Sequence, residues 1–257
     1  MEIIDKRILF YLLKDGRISQ RKIATLLGLT PATLNYRFKR LAESGILKGF
    51  KLYVNPNFYS KYQFFIVFKN YNDINADWLS FKLRCLEWYN VYGVSYSDNE
   101  DMKDKMEYMT KQLGEPVLKY LPAQSLFKPS NLDKKIVEIL KTSPRLPSSD
   151  IAKKLGVSAR KVEKQITYLK HRGLILVVPQ IDVGRADIVL FSIFSKNIED
   201  VSPVLQDCKI WQFTDGYAGI TACYADNIET AKKYINGARQ VDKNADVMII
   251  SDYDFKA

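Results

Sequence analysis

The sequence has little of what disulfide scaffolds, metal sites and membrane spans need. Its three cysteines, Cys85, Cys208 and Cys223, are odd in number and have no CxxC or other metal-binding spacing, so neither a disulfide framework nor a zinc site is indicated. No stretch approaches 18 apolar residues, and charged residues precede the first apolar run. We therefore expect neither a signal peptide nor a membrane span, and a cytoplasmic location.

Catalytic signatures are also absent from the sequence. It contains no GxSxG, Walker or HExxH motif. The one histidine, His171, lies near the end of a predicted helix, where it acts as a helix C-terminal cation or a phosphate neighbour rather than as a ligand. We predict no catalytic residues, no metal site, no cofactor and no enzymatic activity.

The net charge of +10 is concentrated in two parts of the chain. Residues 1–60 contain 11 Lys and Arg against 4 Asp and Glu, and residues 131–182 contain 11 against 5. Residues 61–130 are balanced at 9 against 9, and residues 183–257 are acidic at 8 against 11. This segregation is expected if the two basic segments face a polyanion; a solvated lysine-rich surface of the heat-adapted kind is the alternative.

The same two segments form an internal repeat. Residues 5–45 recur at 133–173 with a constant offset of 128 and no gap, and eleven of the forty-one aligned pairs are identical. In most of the other pairs one apolar residue replaces another, or one helix-starting residue replaces another. A shared fold preserves this pattern. A repeat of this length decides the architecture, so we interpret the chain as two copies of one unit. The tandem form and the Lys- and Tyr-rich composition suggest an archaeal source.

Each copy has the pattern of a helix-turn-helix. In the first, apolar residues recur at helical spacing over residues 5–13 and a turn signal follows. Ser19 caps a second helix that ends at Gly28, and Thr30 caps a third helix with Pro31 at its first position.

The second copy repeats these steps, with Ser148 or Ser149 and then Ser158 as caps. After the third helix of the first copy, residues 46–54 predict a strand pair, the wing of a winged helix.

The third helix of each copy has a polar outer face. Leu34, Phe38 and Leu41 share the inner face in the first copy, which leaves groups that contact phosphates and base edges outside. The predicted DNA-binding residues are Thr30, Ala32, Thr33, Asn35, Tyr36, Arg37, Lys39, Arg40, Lys48 and Lys51 in the first copy, and Ser158, Arg160, Lys161, Lys164 and Gln165 in the second. Since the two sets differ at nearly every position, the copies read different half-sites, or one reads bases while the other holds phosphates.

A long and specific set of motifs stands in the first copy. It consists of Asp5-x-x-Ile8-Leu9, Asp15-Gly16-Arg17-x-Ser19, Ile23-Ala24-x-x-Leu27-Gly28-Leu29-Thr30, Thr33-x-x-x-Arg37-Phe38-x-x-Leu41-x-x-x-Gly45-Ile46 and Gly49-Phe50. These residues resemble the winged helix of the Lrp/AsnC, or feast/famine, regulators over about fifty positions. The second copy fits more loosely, with Ser143-Pro144-Arg145 for Asp-Gly-Arg and Gln165 in the place of Arg37. An ordinary family member has one winged helix and one ligand-sensing domain, so the tandem departs from the usual length.

The segments that follow each winged helix are rich in predicted strands. Runs at 62–69 and 188–194 are each followed by a helical stretch. The remaining predicted elements are strands near 86–90, 91–97 and 116–121 with a helix near 100–113, and strands near 209–214, 217–224 and 246–252 with a helix near 227–240. The match of Cys85-x-x-Trp88 and Gly93 to Cys208-x-x-Trp211 and Gly216 supports this second repeat. The β-α-β-β-α-β order is that of a ferredoxin-like fold.

The predicted fold class is therefore α+β with four domains. Winged helix-turn-helix domains at residues 1–57 and 129–182 alternate with ferredoxin-like βαββαβ domains at residues 58–128 and 183–257.

In the Lrp/AsnC family the ferredoxin-like domain is the effector and assembly domain, which pairs sheet to sheet and often binds an amino acid between subunits. The family's Gly-x-Tyr-Asp turn is only partly kept, as Asp215-Gly216-Tyr217-Ala218 and as Tyr92-Gly93-Val94-Ser95. The resemblance thus implies an amino-acid effector, and the alternative interpretation is that these glycines only allow tight turns.

Charge, repeat and resemblance together predict a sequence-specific regulator of transcription that binds double-stranded DNA through two recognition helices in one chain. Its two effector-type domains are expected to pack as an internal pseudo-dimer, and two chains could pair further as a homodimer. One alternative is an enzyme like sirohaem decarboxylase, which pairs two Lrp/AsnC-like subunits and acts on a tetrapyrrole. Another is a chromosome-organising protein of low sequence preference, which the specificity ratio would distinguish.

Overall fold

The structure, a computed structural model, describes residues 1–256; Ala257, the last residue of the fourth predicted domain, lies outside them. The first half contains α1 (Ile3–Lys14), α2 (Gln20–Leu27), α3 (Pro31–Glu43), β1 (Leu47–Val54), a 3-10 helix (Pro56–Tyr59), β2 (Tyr62–Lys69), β3 (Leu79–Cys85), β4 (Tyr89–Tyr96), α4 (Asn99–Leu113) and β5 (Leu118–Tyr120). The second half contains α5 (Asn131–Thr142), α6 (Ser148–Leu155), α7 (Ala159–His171), β6 (Ile175–Ile181), α8 (Val183–Ala186), β7 (Val189–Ser195), α9 (Ile198–Val201), β8 (Lys209–Thr214), β9 (Gly219–Ala225), α10 (Ile228–Val241) and β10 (Asp246–Phe255).

The repeat seen in the sequence is confirmed by the helices. The helices α5, α6 and α7 begin and end at positions 128 residues after those of α1, α2 and α3. One predicted cap is wrong, because α6 begins at Ser148 and its cap position is taken by Pro147, which has an extended backbone and no capping side chain.

The wing differs from the predicted strand pair. Residues 47–54 form one continuous strand, β1, and its antiparallel partner is β6 of the other copy, with Phe50 opposite Pro179 and Val54 opposite Ile175. A local hairpin would need a tight turn between its strands, and the run has no such turn because Gly49 (φ +144°) lies at an irregularity within the ladder. The two copies therefore share a two-stranded sheet.

Each of these strands also helps to complete the core of the other copy's helices. Val178 and Ile181 of β6 belong to the apolar cluster that contains α1, α2 and α3. Leu52 and Val54 of β1 belong to the cluster that contains α5, α6 and α7, together with Phe58 of the 3-10 helix. Neither three-helix unit has a complete core without the other copy.

The remaining strands form one eight-stranded sheet in the order β5-β2-β4-β3-β10-β7-β9-β8. Each half has the 4-1-3-2 arrangement of a ferredoxin-like fold, and the two halves join where β3 pairs antiparallel with β10. The long strand β10 makes this possible, because residues 246–250 pair with β7 and residues 250–255 pair with β3.

The sheet curls so that the inner faces of its halves meet. The rings of Phe65 on β2 and Phe213 on β8 lie 4.9 Å apart between centroids, although five strands separate β2 from β8 in the sheet. Tyr120 on the edge strand β5 donates its hydroxyl to the carbonyl oxygen of Ala218 at 2.9 Å. Aromatic side chains therefore fill the space between the halves.

Two predicted elements of the first ferredoxin-like half are wrong. The segment 70–78 contains no helix, since Asn70 caps its own turn at the amide of Asn72, and Asp73 accepts hydrogen bonds from Lys82 and Tyr92. The predicted strand near 86–90 is mainly the β3–β4 turn, and the strand itself runs from Leu79 to Cys85.

The shared Cys-x-x-Trp and glycine pattern does not mark equivalent positions. Trp88 lies in a turn with φ +67°, whereas Trp211 lies inside β8. Gly93 lies within β4 rather than in a turn, and a Cβ atom there would come within 2.4 Å of the Phe81 ring and 2.6 Å of Ser80 Oγ. Only Gly216, at φ +95°, is the turn glycine that the sequence predicts.

No helix among residues 1–256 combines the length and the apolar character that crossing a bilayer requires.

Candidate nucleic-acid interface

The two candidate recognition helices, α3 and α7, begin in the same way. Thr30 accepts a hydrogen bond from the amide of Thr33 at 3.1 Å, and Ser158 accepts one from the amide of Lys161 at 3.3 Å. Gly28 has the left-handed conformation, with φ +64°, that ends α2 and turns the chain into α3. Thr30 and Ser158 are thus caps, as predicted, and they fix the start of each helix.

Most of the outer face of α3 is exposed as expected. Leu34 and Leu41 are buried beneath it, and Phe38 is half-buried. The exposed side chains are Ala32, Thr33, Asn35, Tyr36, Lys39 and Arg40, and among them the aromatic Tyr36 is 63% exposed.

Arg37 is the exception on this face. Its side chain is only 14% exposed, and its guanidinium donates to Asp5 Oδ1 at 3.0 Å and to Glu2 Oε2 at 2.7 Å. Arg40 reaches the same two carboxylates, at 3.1 and 3.0 Å. The hydrogen bonds from Arg37 and Arg40 lower the pKa of Glu2, and Glu2 and Asp5 in turn raise the pKa of Arg37. The prediction that Arg37 points freely outward is wrong, because the buried carboxylate of Asp5 requires a partner.

The outer face of α7 has a different chemistry. Arg160, Lys161 and Lys164 are exposed, and none of them is within ion-pair distance of a carboxylate in the chain through Lys256. Gln165, which occupies the place of Arg37, is half-buried and donates its amide to Asp133 Oδ1 at 2.5 Å. The expectation that Gln165 points out is therefore also wrong, because the buried carboxylate of Asp133 requires a partner, as that of Asp5 does.

The two predicted wing lysines lie on the shared sheet and are paired. Lys48 Nζ is 3.0 Å from Asp182 Oδ2, and Lys51 Nζ is 2.5 Å from Asp254 Oδ1. The hydrogen bond from Lys48 lowers the pKa of Asp182. Both lysines remain partly exposed, at 58% and 43% of their side chains.

A reciprocal pair of arginines joins the two helix-turn-helix units. Arg17 donates to the carbonyl oxygens of Pro144 at 2.6 Å and Leu146 at 2.9 Å, while Arg145 donates to the carbonyl oxygen of Ile18 at 2.8 Å. Burial lowers the pKa of both arginines, and the proximity of Arg17 lowers that of Arg145 further. Sequence reasoning assigned these residues no role, although their identity at the offset of 128 was the available signal.

Two neighbouring contacts tighten this junction. Lys170, near the end of α7, forms an ion pair with Asp15 at 2.8 Å. The guanidinium of Arg145 lies 4.5 Å above the ring of Phe50. Gly16 is required here, because a Cβ atom would lie 2.2 Å from the carbonyl oxygen of Val177 on β6.

The first helix-turn-helix unit is also attached to the second ferredoxin-like half. Lys6 is 7% exposed, and its ammonium donates to the carbonyl oxygen of Asp226 at 2.7 Å and pairs with Asp187 at 2.8 Å. The indole of Trp211 on β8 donates to the carbonyl oxygen of Leu13 at 3.2 Å. These contacts, which no sequence pattern indicated, hold α1 against the sheet of the other copy.

The comparisons with known proteins agree with this fold. The family model described as winged helix-turn-helix DNA-binding matches residues 1–48 and 130–175. The chain is 45% identical over 56 residues to the HTH-type transcriptional regulator FL11 of Pyrococcus furiosus, covering 22% of this chain and 37% of that protein. It is 36% identical over 58 residues to the leucine-responsive regulatory protein of Escherichia coli, covering 23% of this chain and 35% of that protein. The chain thus spans little more than a third of the length of these regulators.

Solved structures align with the chain at low identity and low TM-score. The leucine response regulatory protein LrpA of Mycobacterium tuberculosis is 17% identical with a TM-score of 0.32, covering 50% of this chain and 96% of that one. The siroheme decarboxylase NirDL is 14% identical with a TM-score of 0.47, and the alignment covers 97% of this chain and 91% of that one.

Fold and comparisons together define a protein that carries the winged helix-turn-helix DNA-binding module twice. The resemblance to the Lrp/AsnC regulators drawn from the sequence is confirmed, and the relatives include archaeal regulators.

Proposed function

We propose that the chain is a sequence-specific regulator of transcription of the Lrp/AsnC type that binds double-stranded DNA with two dissimilar recognition helices. The observation that carries this proposal is the fixed junction between the two helix-turn-helix units, made by Arg17, Arg145 and the shared β1–β6 sheet. A pair of recognition helices reads two successive half-sites only when their separation is set by the protein. Here one chain provides that separation.

The exchange of wing strands and the continuous sheet support a further part of the proposal. We propose that the two copies act as an internal pseudo-dimer, built from the four domains 1–57, 58–128, 129–182 and 183–257. Because the two recognition helices differ, the target is expected to be less palindromic than the operator of a homodimer. Pairing of two chains as a homodimer would make a longer target symmetric again.

The proposed DNA surface keeps the predicted residues with two changes of role. Arg37 and Gln165 are proposed to hold the third helix against the first, through Asp5 and Asp133. The proposed contact residues are Thr30, Ala32, Thr33, Asn35, Tyr36, Lys39, Arg40, Lys48, Lys51, Ser158, Arg160, Lys161 and Lys164. A single base-reading substitution among them is expected to cost about 1–3 kcal/mol of binding free energy.

The proposal assigns no enzymatic activity and no cofactor. The faces where the two ferredoxin-like halves meet are filled by packed aromatic side chains such as Phe65, Phe81 and Phe213, which supports a role in assembly. An amino-acid effector is not proposed at the Asp215–Ala218 turn, since the Asp215 carboxylate accepts hydrogen bonds from the amides of Tyr217 and Ala218 within its own turn.

The test is the affinity of the purified protein for the duplex upstream of its own gene and for a shuffled duplex of equal length, across a salt series. A specific regulator that controls its own gene binds the upstream duplex at least about a hundredfold tighter, with similar salt slopes for both duplexes. If neither this duplex nor the sites found in a genome-wide binding profile bind more tightly than the shuffled duplex, a chromosome-organising protein is favoured instead. Unaltered binding after changing Thr33, Tyr36, Arg160 and Lys161 together to alanine would refute the proposed surface.

A further inference from the structure

The two recognition helices differ in how their cations are neutralised. On α7, Arg160, Lys161 and Lys164 are exposed and without an ion-pair partner anywhere in residues 1–256. The ion pairs of this unit involve other lysines, namely Lys141 and Lys153 on α5 and α6 and Lys170 at the end of α7. The cations on the outer face of α7 are therefore available to an external anion.

On α3 each cation already has a carboxylate partner. Arg37 and Arg40 are bound by Glu2 and Asp5 at 2.7 to 3.1 Å. Lys39 is paired with Glu43 one turn further along the helix, at 3.5 Å. Three cations thus face three carboxylates, although the segment 1–60 as a whole has a clear excess of Lys and Arg.

This difference follows from how each copy satisfies one buried carboxylate. Asp133 on α5 is bound by neutral donors, the amide and hydroxyl of Ser130 and the amide of Gln165. Its counterpart Asp5 on α1 is bound by the two arginines instead. A buried carboxylate is strongly destabilising without a partner, so Arg37 and Arg40 are held in place by Asp5 in the first copy only.

Glu2 is the second carboxylate that distinguishes the first copy from the second. The equivalent position in the second copy is Ser130, whose hydroxyl caps α5. Glu2 makes no side-chain cap on α1 and instead reaches across to the guanidinium groups of Arg37 and Arg40. Its side chain is 52% exposed, so unlike Asp5 it lies where a phosphate would have to compete with it.

We propose that duplex DNA is held mainly through the phosphate contacts of α7, and that Glu2 is an intramolecular counter-charge that lowers the phosphate affinity of α3. This inference rests on the proposed function. A phosphate that approaches α7 gains contacts with unpaired cations, whereas one that approaches α3 must first displace a carboxylate from Arg40. The helix α3 is thereby left to contact the duplex mainly through its uncharged groups, Thr33, Asn35 and Tyr36.

The experiment measures binding of the full chain to a fluorescein-labelled duplex of random sequence by anisotropy, across a salt series. Lys161→Gln with Lys164→Gln removes two charges from α7, and Lys39→Gln with Arg40→Gln removes two from α3. The α7 pair is expected to make the log-log salt slope shallower by about 1.8, close to two released counterions. The α3 pair is expected to change the slope by less than half as much.

Glu2→Gln tests the counter-charge directly. With Glu2 neutral, Arg40 keeps only Asp5 as a carboxylate partner. The change is expected to raise the affinity and to steepen the slope by up to about 0.9, one additional phosphate contact. The matched control is Glu107→Gln, which removes the same charge from the exposed surface of α4 and is expected to leave the slope unchanged. Melting temperatures of all variants identify any that lose the fold.

The outcomes separate the two proposals. Equal slope changes for the α3 and α7 pairs, or a Glu2→Gln variant that behaves as Glu107→Gln does, would overturn the unequal division while leaving DNA binding intact. Absence of binding by the unaltered chain to this duplex and to the upstream duplex would overturn the proposed function together with this inference.

Discussion

At the scale of single residues, close packing between strands decides identities that look interchangeable in the sequence. Gly93 resembled a turn glycine because it was matched to Gly216 and to the glycine of the Gly-x-Tyr-Asp turn. It lies instead in β4 opposite Phe65 and Phe81, where the Phe81 ring and Ser80 occupy the space of a Cβ atom. The residue is fixed by contact and not by backbone conformation.

Substitution of Gly93 by alanine is therefore expected to destabilise the protein by about 1–3 kcal/mol, the typical cost of overpacking a core. The measurement is the free energy of unfolding in urea. Gly184→Ala is the matched control, because its Cβ atom would meet nothing closer than 3.7 Å, and it should be neutral or slightly stabilising. Equal stabilities for the two variants would contradict the packing argument.

The carboxylate of Asp73 organises the segment that replaces the predicted helix. Burial by itself raises the pKa of Asp73, but hydrogen bonds from Lys82 and Arg84, at 2.6 Å each, outweigh it and lower the pKa. A pKa that is lower in the folded state contributes stability above the unfolded value of about 3.9, and that contribution is lost as the pH falls through the folded value.

The variant Asp73→Asn should accordingly be less stable than the unaltered protein at pH 7, and the difference should shrink below about pH 4. Urea denaturation at a series of pH values measures it. Asp77→Asn in the same segment, which forms no ion pair in the structure of residues 1–256, is the control. A difference that stays constant with pH would show that the amide fails for a reason other than charge.

At the scale of elements, the turns between the first two helices of each copy join the two helix-turn-helix units. The turns contain Arg17 and Arg145, which are half-buried; Arg17 donates to the carbonyl oxygens of Pro144 and Leu146, and Arg145 donates to that of Ile18. Identity at the repeat offset marked these residues, but a repeat cannot reveal that its two copies touch. Only the fold shows that the junction is between equivalent turns.

Loss of the Arg145 contact is expected to weaken this junction. Arg145→Met keeps much of the apolar stem over Phe50 but leaves the carbonyl of Ile18 without its donor, at a cost of about 1.5–3 kcal/mol. Thermal unfolding measures the loss, and Arg239→Met on the exposed side of α10 is the control. If both variants melt together, the arginine contact does not stabilise the junction.

At the scale of the whole molecule, the two copies are completed by each other. The strands β1 and β6 exchange between the helical cores, and β10 joins the two halves of the sheet. A single copy would expose the apolar faces that these contacts bury. Each Å² of apolar surface exposed in this way would cost about 25 cal/mol of stability.

The fragment 1–128 is therefore expected to be unfolded or self-associated when produced alone. Produced together with 129–257, it should form a soluble one-to-one complex with the circular dichroism spectrum of the intact chain. Size-exclusion chromatography with light scattering distinguishes these cases. A monomeric, cooperatively folded fragment 1–128 would show that each copy is complete without the other.

The sequence alone determined the repeat, the positions of the six helices of the two helix-turn-helix units, and the strand-rich character of the other two segments. These properties depend on local periodicity and capping, and residues such as Thr30, Pro31 and Ser158 act on their immediate neighbours. The family resemblance followed from the same local motifs.

Only the tertiary structure decided which strands pair, which charges are free and which residues touch between the copies. The partner of β1 is more than a hundred residues away in β6, and Asp5 binds Arg37 on another helix. Net charge counted along the chain gave the two units similar basic character, whereas ion pairing within residues 1–256 leaves free cations on α7 and pairs those of α3 with carboxylates. Pairing and burial depend on distance in space, which a one-dimensional pattern does not contain.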